Sequence, residues 1–229
     1  MPSTFEVTKN CQADLRADLV ALAPDIVVFS LPPTLPLNDQ AVAECLLAVT
    51  QLCQSSLECH DVVPAARSVT LYLRDANRCQ YWQSRLAQEW QTLEVANTLC
   101  QVHRIAVKYG GQFGPDLIPL AERLGLSCQD VIRLHSQTEY RVGFMGFLPG
   151  FGYLQGLAAQ LHVPRLASPR THVAAGSVAI AGKLSAIYPS SSPGGWHILG
   201  RTEQNLFNHR QSSPCLFNPG DRVVFEVSR

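Results

Sequence analysis

Between Tyr140 and Thr202 the sequence contains no aspartate and no glutamate. The same 63 residues carry five cations, Arg141, Arg165, Arg170, Lys183 and Arg201, and ten of the chain's 15 glycines. Residues 1–139 hold 10 basic against 15 acidic side chains, and residues 203–229 hold three of each. A formal net charge of zero therefore conceals a +5 segment in an otherwise acidic chain. Other absences narrow the function. No run approaches about 18 apolar residues, which excludes a membrane-spanning helix, and the first residues lack the apolar core of a secretory signal. A cytoplasmic protein is expected. The pI of 7.0 and the lack of any Lys/Arg run interleaved with aromatics argue against nucleic acid as a partner. Eight cysteines form no C-x-x-C pair and are read as reduced thiols, many of them buried. Cys59-His60-Asp61 lacks further ligands at zinc spacing, so no metal site is expected from these residues.

Familiar catalytic signatures are missing too. The stretch Gly176 to Lys183 has five residues between its glycines, and Leu184 stands where a phosphate-binding P-loop requires Ser or Thr. Gly150, Gly152 and Gly156 do not space as a dinucleotide fingerprint, and no G-x-S-x-G elbow occurs.

What is present reads as two domains, residues 1–95 and 96–229. In the first, Asp25–Leu31 is a short apolar strand, and residues 1–22 hold an edge strand or short helix. Asn38 and Asp39 cap a helix whose face is Val42, Cys45, Leu46, Val49, Leu52 and Cys53. His60–Val63 and Ser68–Arg74 are strands around a turn, and Asn77–Leu93 returns to helical spacing with Trp82 and Trp90 inward. The order β-α-β-β-α predicts half of a ferredoxin-like α/β sandwich. In the second domain, Gln101–Tyr109 is a strand, helices follow near 116–124 and after Ser127, and short strands recur at Glu139–Phe147, Ser177–Ala181, Ile187–Tyr188, Trp196–Leu199 and Arg222–Val227. Many short strands broken by Gly and Pro predict a closed β-barrel, and the whole an α+β protein.

The acid-free segment predicts an anion site. Arginine forks match carboxylate and phosphate, and glycine lets backbone approach a ligand closely. Arg170 and Arg201 each follow a turn residue that fixes their direction. With no Asp or Glu within 30 residues of it, Arg170 is expected to be free for an external anion. Pro193-Gly194-Gly195-Trp196 is a candidate nest of backbone N–H groups with an aromatic face, or simply a tight hairpin. Tyr188 and His135 are the polar groups beside these turns and the candidate catalytic residues. A general base would have to come from outside the segment, with a partner subunit as the expected source.

A set of motifs in fixed order then suggests a family. These are H-S at 135–136, G-F-L-P-G-F-G-Y-L at 146–154, P-R-L-A-S-P-R at 164–170 and A-G-S-V-A-I-A-G at 175–182. They continue with I-Y-P at 187–189, S-P-G-G-W-H-I-L-G-R-T at 192–202 and P-G-D at 219–221. Together they resemble the family of the 5-oxoprolinase B-type subunit, also called allophanate hydrolase subunit 1, which includes sporulation-kinase inhibitors and carboxyltransferase subdomains C and D. The resemblance is specific from about Val107 onward. It implies a ferredoxin-like N-terminal domain and a cyclophilin-like β-barrel. It also implies a hydrolase subunit, active with 5-oxoprolinase subunits A and C, that opens 5-oxo-L-proline to L-glutamate. ATP, with Mg2+, would be bound at a subunit interface. Arg170, Arg201, Gly176, Ser177, Gly194, Gly195 and Trp196 are then the candidate ligand contacts. The alternatives are a histidine-kinase inhibitor and a urea or amide carboxyltransferase component.

The domain reading has a direct check. Limited proteolysis should cut between Leu93 and Gln101 if it cuts anywhere, and clean cutting inside 140–202 with resistance there would contradict the boundary.

Overall fold

The computed structural model describes residues 16–94 and 100–228. Residues 1–15 and most of the expected linker, 95–99, lie outside the described residues. The chain divides into two compact units, Met1–Ala96 and Asn97–Arg229.

The first unit contains β1 (Asp18–Ala23), β2 (Ile26–Ser30), α1 (Asp39–Gln54), β3 (Cys59–Pro64), β4 (Ser68–Leu73) and α2 (Cys79–Glu89). Asn38 starts α1 as its sequence position demands, its side-chain oxygen accepting from the Ala41 N–H at 2.8 Å. The antiparallel sheet runs β1-β2-β4-β3. β2, β4 and β3 have the order of a ferredoxin-like half, and β1 takes the edge beside β2 that a fourth strand would occupy. Val27, Phe29, Val69 and Leu71 face a core shared with Val42, Val49, Trp82 and Leu86 of the helices.

The second unit contains β5 (Val102–Tyr109), α3 (Leu117–Leu124), α4 (Cys128–Ser136), β6 (Glu139–Met145), β7 (Gly152–Gln155) and β8 (Arg170–Val173). It continues through β9 (Ser177–Ala181), β10 (Leu184–Ile187), β11 (Ser192–Gly194), β12 (His197–Arg201) and β13 (Arg222–Val227). Seven strands close into a barrel in the order β10-β7-β6-β13-β5-β12-β9, while β8 and β11 form a separate ribbon. Only β13 and β5 pair in parallel among these; the other ladders are antiparallel. The α+β class and the closed barrel follow the expectation. Tyr188 sits one residue beyond β10 rather than within a strand. β7, β8 and β11 have only four, four and three residues, too short to announce themselves by alternation.

β9 explains how the barrel supports a second layer. All five of its residues are buried. Val178 and Ile180 point into the barrel core with Val107, Leu154 and Phe225. Ala179 and Ala181 join an outer cluster with Ala186, Phe151, Tyr188 and Trp196.

His135 lies inside the barrel unit's core, fully buried and stacked on Phe225 at 4.6 Å. Its Nδ1 meets the Tyr109 hydroxyl at 2.7 Å and its Nε2 meets Ser185 Oγ at 2.9 Å. Ser185 in turn donates to the Ala179 carbonyl at 3.3 Å. The chain is therefore satisfied by a neutral ring with its proton on Nε2. Burial holds the His135 pKa down to about 3. The folded value lies below the ordinary unfolded value of about 6.5, so the stability contributed is full above that pH and is lost as pH falls towards 3. Measured by urea unfolding, the stability advantage of the wild type over His135→Gln should shrink by about 2 kcal/mol from pH 7 to pH 5. A gap independent of pH would contradict the neutral, buried ring.

Candidate functional site

The outer cluster is built by the turn that links Tyr188 to Trp196. Tyr188 leaves β10 with 1% exposure, and Trp196 enters β12 with 5%. Between them the chain passes out through β11, which pairs with β8 so that Gly194 lies opposite Arg170. Phe151 stands edge-on to both large rings, 5.4 Å from Tyr188 and 5.8 Å from Trp196. Above it Phe147 is more than half exposed and meets Phe151 edge-on at 5.3 Å. Phe147 has φ 69, the one positive φ of a non-glycine among the described residues. A bulky residue held there marks a constrained loop of the kind that clusters at ligand sites.

These rings, with Tyr153, Arg165 and the Gly194-Gly195 backbone, line a cavity of about 220 Å³. A neighbouring cavity of about 360 Å³ shares Tyr153, Arg165 and Trp196 and extends to Lys183 and Leu184. No carboxylate lines either of them among the described residues. The Tyr188 phenol is pushed up by burial, opposed by a hydrogen bond from the Trp196 backbone and by the charges of Arg165 and Arg170. It is a protonated donor at neutral pH. Gly194 is required beside it, because an added Cβ would overlap Tyr188 Oη.

The structure brings together Tyr188, Gly194, Gly195 and Trp196, sets Arg170 opposite Gly194 on the neighbouring strand but ties it to Asp116, and keeps His135, Arg201, Gly176 and Ser177 out of the cavity lining. Arg170 is not free. Its Nη2 donates to Asp116 Oδ1 at 2.6 Å, and Nη1 is enclosed with no partner among the described residues. The acid that pairs with it lies 54 residues earlier, beyond the reach of any local reading. His135 has both ring nitrogens occupied in a sealed core, so it reaches neither ligand nor water, and the acid/base role is corrected to a structural one. Arg201 donates Nε to the Ala175 carbonyl at 3.0 Å and, with Gly176, lines a different groove that also holds Lys108 and Glu203. Ser177 is 4% exposed and lines neither cavity beside Trp196. Missed were Arg165, counted among the cations but not chosen, and the aromatic wall of Phe147, Phe151 and Tyr153. The alternating aromatics of F-L-P-G-F-G-Y were the available signal.

A family model described as carboxyltransferase domain, subdomain C and D, matches residues 20–217. The chain belongs to this carboxyltransferase-domain family. Within it, the B-type subunit of 5-oxoprolinase from Escherichia coli O157:H7 is 38% identical over 214 residues, covering 92% of this chain and 95% of that protein. The crystal structure of TTHA0988 superposes with a TM-score of 0.73 at 33% identity, over 89% of this chain and 40% of that one. The K. lactis urea amidolyase matches with a TM-score of 0.72 at 16% identity, over 95% of this chain and 15% of that one, a likeness of fold alone. No described helix of this family member is long and apolar enough to cross a membrane.

Gly194→Ala should destabilise the protein by about 1–3 kcal/mol through overpacking against Tyr188. The cost should be smaller in a Tyr188→Phe background, where Oη is gone, and equal costs in the two backgrounds would show that Tyr188 is not the neighbour that matters.

Proposed function

We propose that the chain is the B-type subunit of an ATP-dependent 5-oxoprolinase, and that the cleft between Tyr188 and Trp196 receives 5-oxo-L-proline. The observation that carries this reading is the pairing of an aromatic cavity with one unpaired arginine and no acid. 5-Oxo-L-proline is a small flat lactam with a single carboxylate. Its ring suits aromatic walls, its carboxylate suits a guanidinium, and its carbonyl accepts from a phenol or a backbone N–H. The relationship to a protein named as the B-type subunit of 5-oxoprolinase supports the same substrate.

The cleft holds and orients; it does not supply the base. No histidine, thiol or carboxylate lines it among the described residues, and the Tyr188 phenol is pushed upward, away from the range of a useful base. Lactam opening breaks the ring C–N bond and adds the elements of water, a hydroxyl at carbon and a proton at nitrogen. The group that activates that water has to come from a partner subunit.

ATP, which activates the lactam carbonyl, fits the described residues of this chain poorly. The cleft between Tyr188 and Trp196 offers one cation and no carboxylate, which provides for neither a polyphosphate nor the one or two carboxylates that its magnesium would take. In the groove near Arg201, Lys108 is engaged by Glu203 at 3.2 Å. We therefore assign the nucleotide to a partner or to an interface with subunits A and C.

The purified chain alone should form no L-glutamate from 5-oxo-L-proline and ATP, and addition of the partner subunits should restore turnover. Glutamate formation by the chain alone, with contaminating subunits excluded, would overturn the division of labour. No turnover by the full set would overturn the reading itself.

A further inference from the structure

The cations of the acid-free segment are not equivalent as anion ligands. Arg170 is compensated by Asp116, whose side chain is 9% exposed, and drawing it away would leave that carboxylate buried and unpaired. Arg201 gives its Nε to a backbone carbonyl and lines another groove. Lys183 lines the neighbouring cavity and not the aromatic one. Arg165 differs from all three. It lines both cavities, its residue is exposed, and it makes no hydrogen bond or ion pair among the described residues. Its charge opposes the burial-driven rise of the Tyr153 and Tyr188 phenols, in keeping with its place in the lining of the cavity that they share.

We propose that Arg165 takes the ligand's carboxylate, and that the cleft selects small monoanions whose flat, uncharged body rests against Trp196 and Tyr188. The identity of that ligand rests on the 5-oxoprolinase reading above. A single guanidinium forms the two parallel bonds that one carboxylate needs. A polyphosphate would call for several cations or a helix N-terminus, and the cavity presents neither. Arg170 and Asp116 then act as a strut: they fix β8 against β12 and so set the width of the cleft, without contacting the ligand.

The chain should be titrated with 5-oxo-L-proline and with its carboxamide, followed by tryptophan fluorescence. Trp196 is the reporter, since Trp82 and Trp90 lie in the core of the other unit. The wild type should bind the acid at least about tenfold more tightly than the amide. Arg165→Gln should erase that preference by weakening the acid alone, and Arg165→Lys should restore part of it. Arg170→Lys and Asp116→Asn should lower Tm while leaving the preference in place. The proposal is overturned if Arg165→Gln keeps the wild-type preference, if acid and amide bind equally or not at all to both chain and complex, or if inorganic phosphate displaces 5-oxo-L-proline more effectively than acetate does. Kinetics of the complex with its partner subunits separate this claim from the function. Turnover with an unchanged KM in Arg165→Gln would remove the clamp and leave the 5-oxoprolinase standing. Arg165-dependent binding of the acid by a complex that never forms glutamate would do the reverse.

Discussion

Asp116 stands at the N-cap position of α3, yet its side chain makes no hydrogen bond to that helix. It accepts instead from the Ile198 N–H at 2.7 Å and from Arg170, while its own N–H donates to the Ile198 carbonyl at 3.1 Å. A capping interaction worth about 1 kcal/mol is given up so that one buried carboxylate can join the start of α3, strand β12 and strand β8. Trp196 enters β12 two residues before Ile198, and β8 pairs with the strand that carries Gly194. The walls of the cleft therefore take their spacing from this group. A buried carboxylate is tolerable only because a charged fork and a backbone donor both satisfy it.

Much of the scaffold was legible because it is local. Asn38 caps α1 and Ser127 caps α4 through the backbone N–H groups that their positions imply. Val69, Leu71 and Leu73 alternate inward as a half-buried strand must. The neighbourhood of Tyr188 and Trp196 could be read from the motif that contains them, but not its shape, because Gly194 ends a strand paired with β8 and the segment is no tight hairpin. The illegible parts depend on contacts across long separations. Asp116 meets Arg170 across 54 residues and Ile198 across 82. His135 and Ser185 are 50 apart, and nothing local says that a histidine near a helix end will be sealed in a barrel. The count of acids in a window was a fair guide to the sign of the site. It was a poor guide to which cation stays available, because pairing is settled in three dimensions.

The cleft and the barrel interior divide the polar chemistry between them. Inside, His135, Tyr109, Tyr140 and Ser185 are bonded to one another or to carbonyls, and all but the half-buried Tyr109 are sealed from water. Outside, Tyr188 faces two arginines and a cavity. The phenols of Tyr109, Tyr140 and Tyr188 are all pushed upward by burial, but of these three Tyr188 is the one that lines the aromatic cavity. The same residue type thus locks the fold on one side of the wall and offers a hydrogen bond on the other.

The alanines on the outer faces of β9 and β10 give that wall an evolutionary consequence. Ala179, Ala181 and Ala186 leave room for Trp196, Tyr188 and Phe151 to lie close to the strands. Exchanging one of them for a larger residue would push a ring outward and reshape the cavity, while Val178, Ile180 and Ile187 on the inner faces kept the barrel intact. Descendants of such a scaffold could change the size of molecule they accept by drifting along one side of two strands, with the folding determinants on the other side left alone.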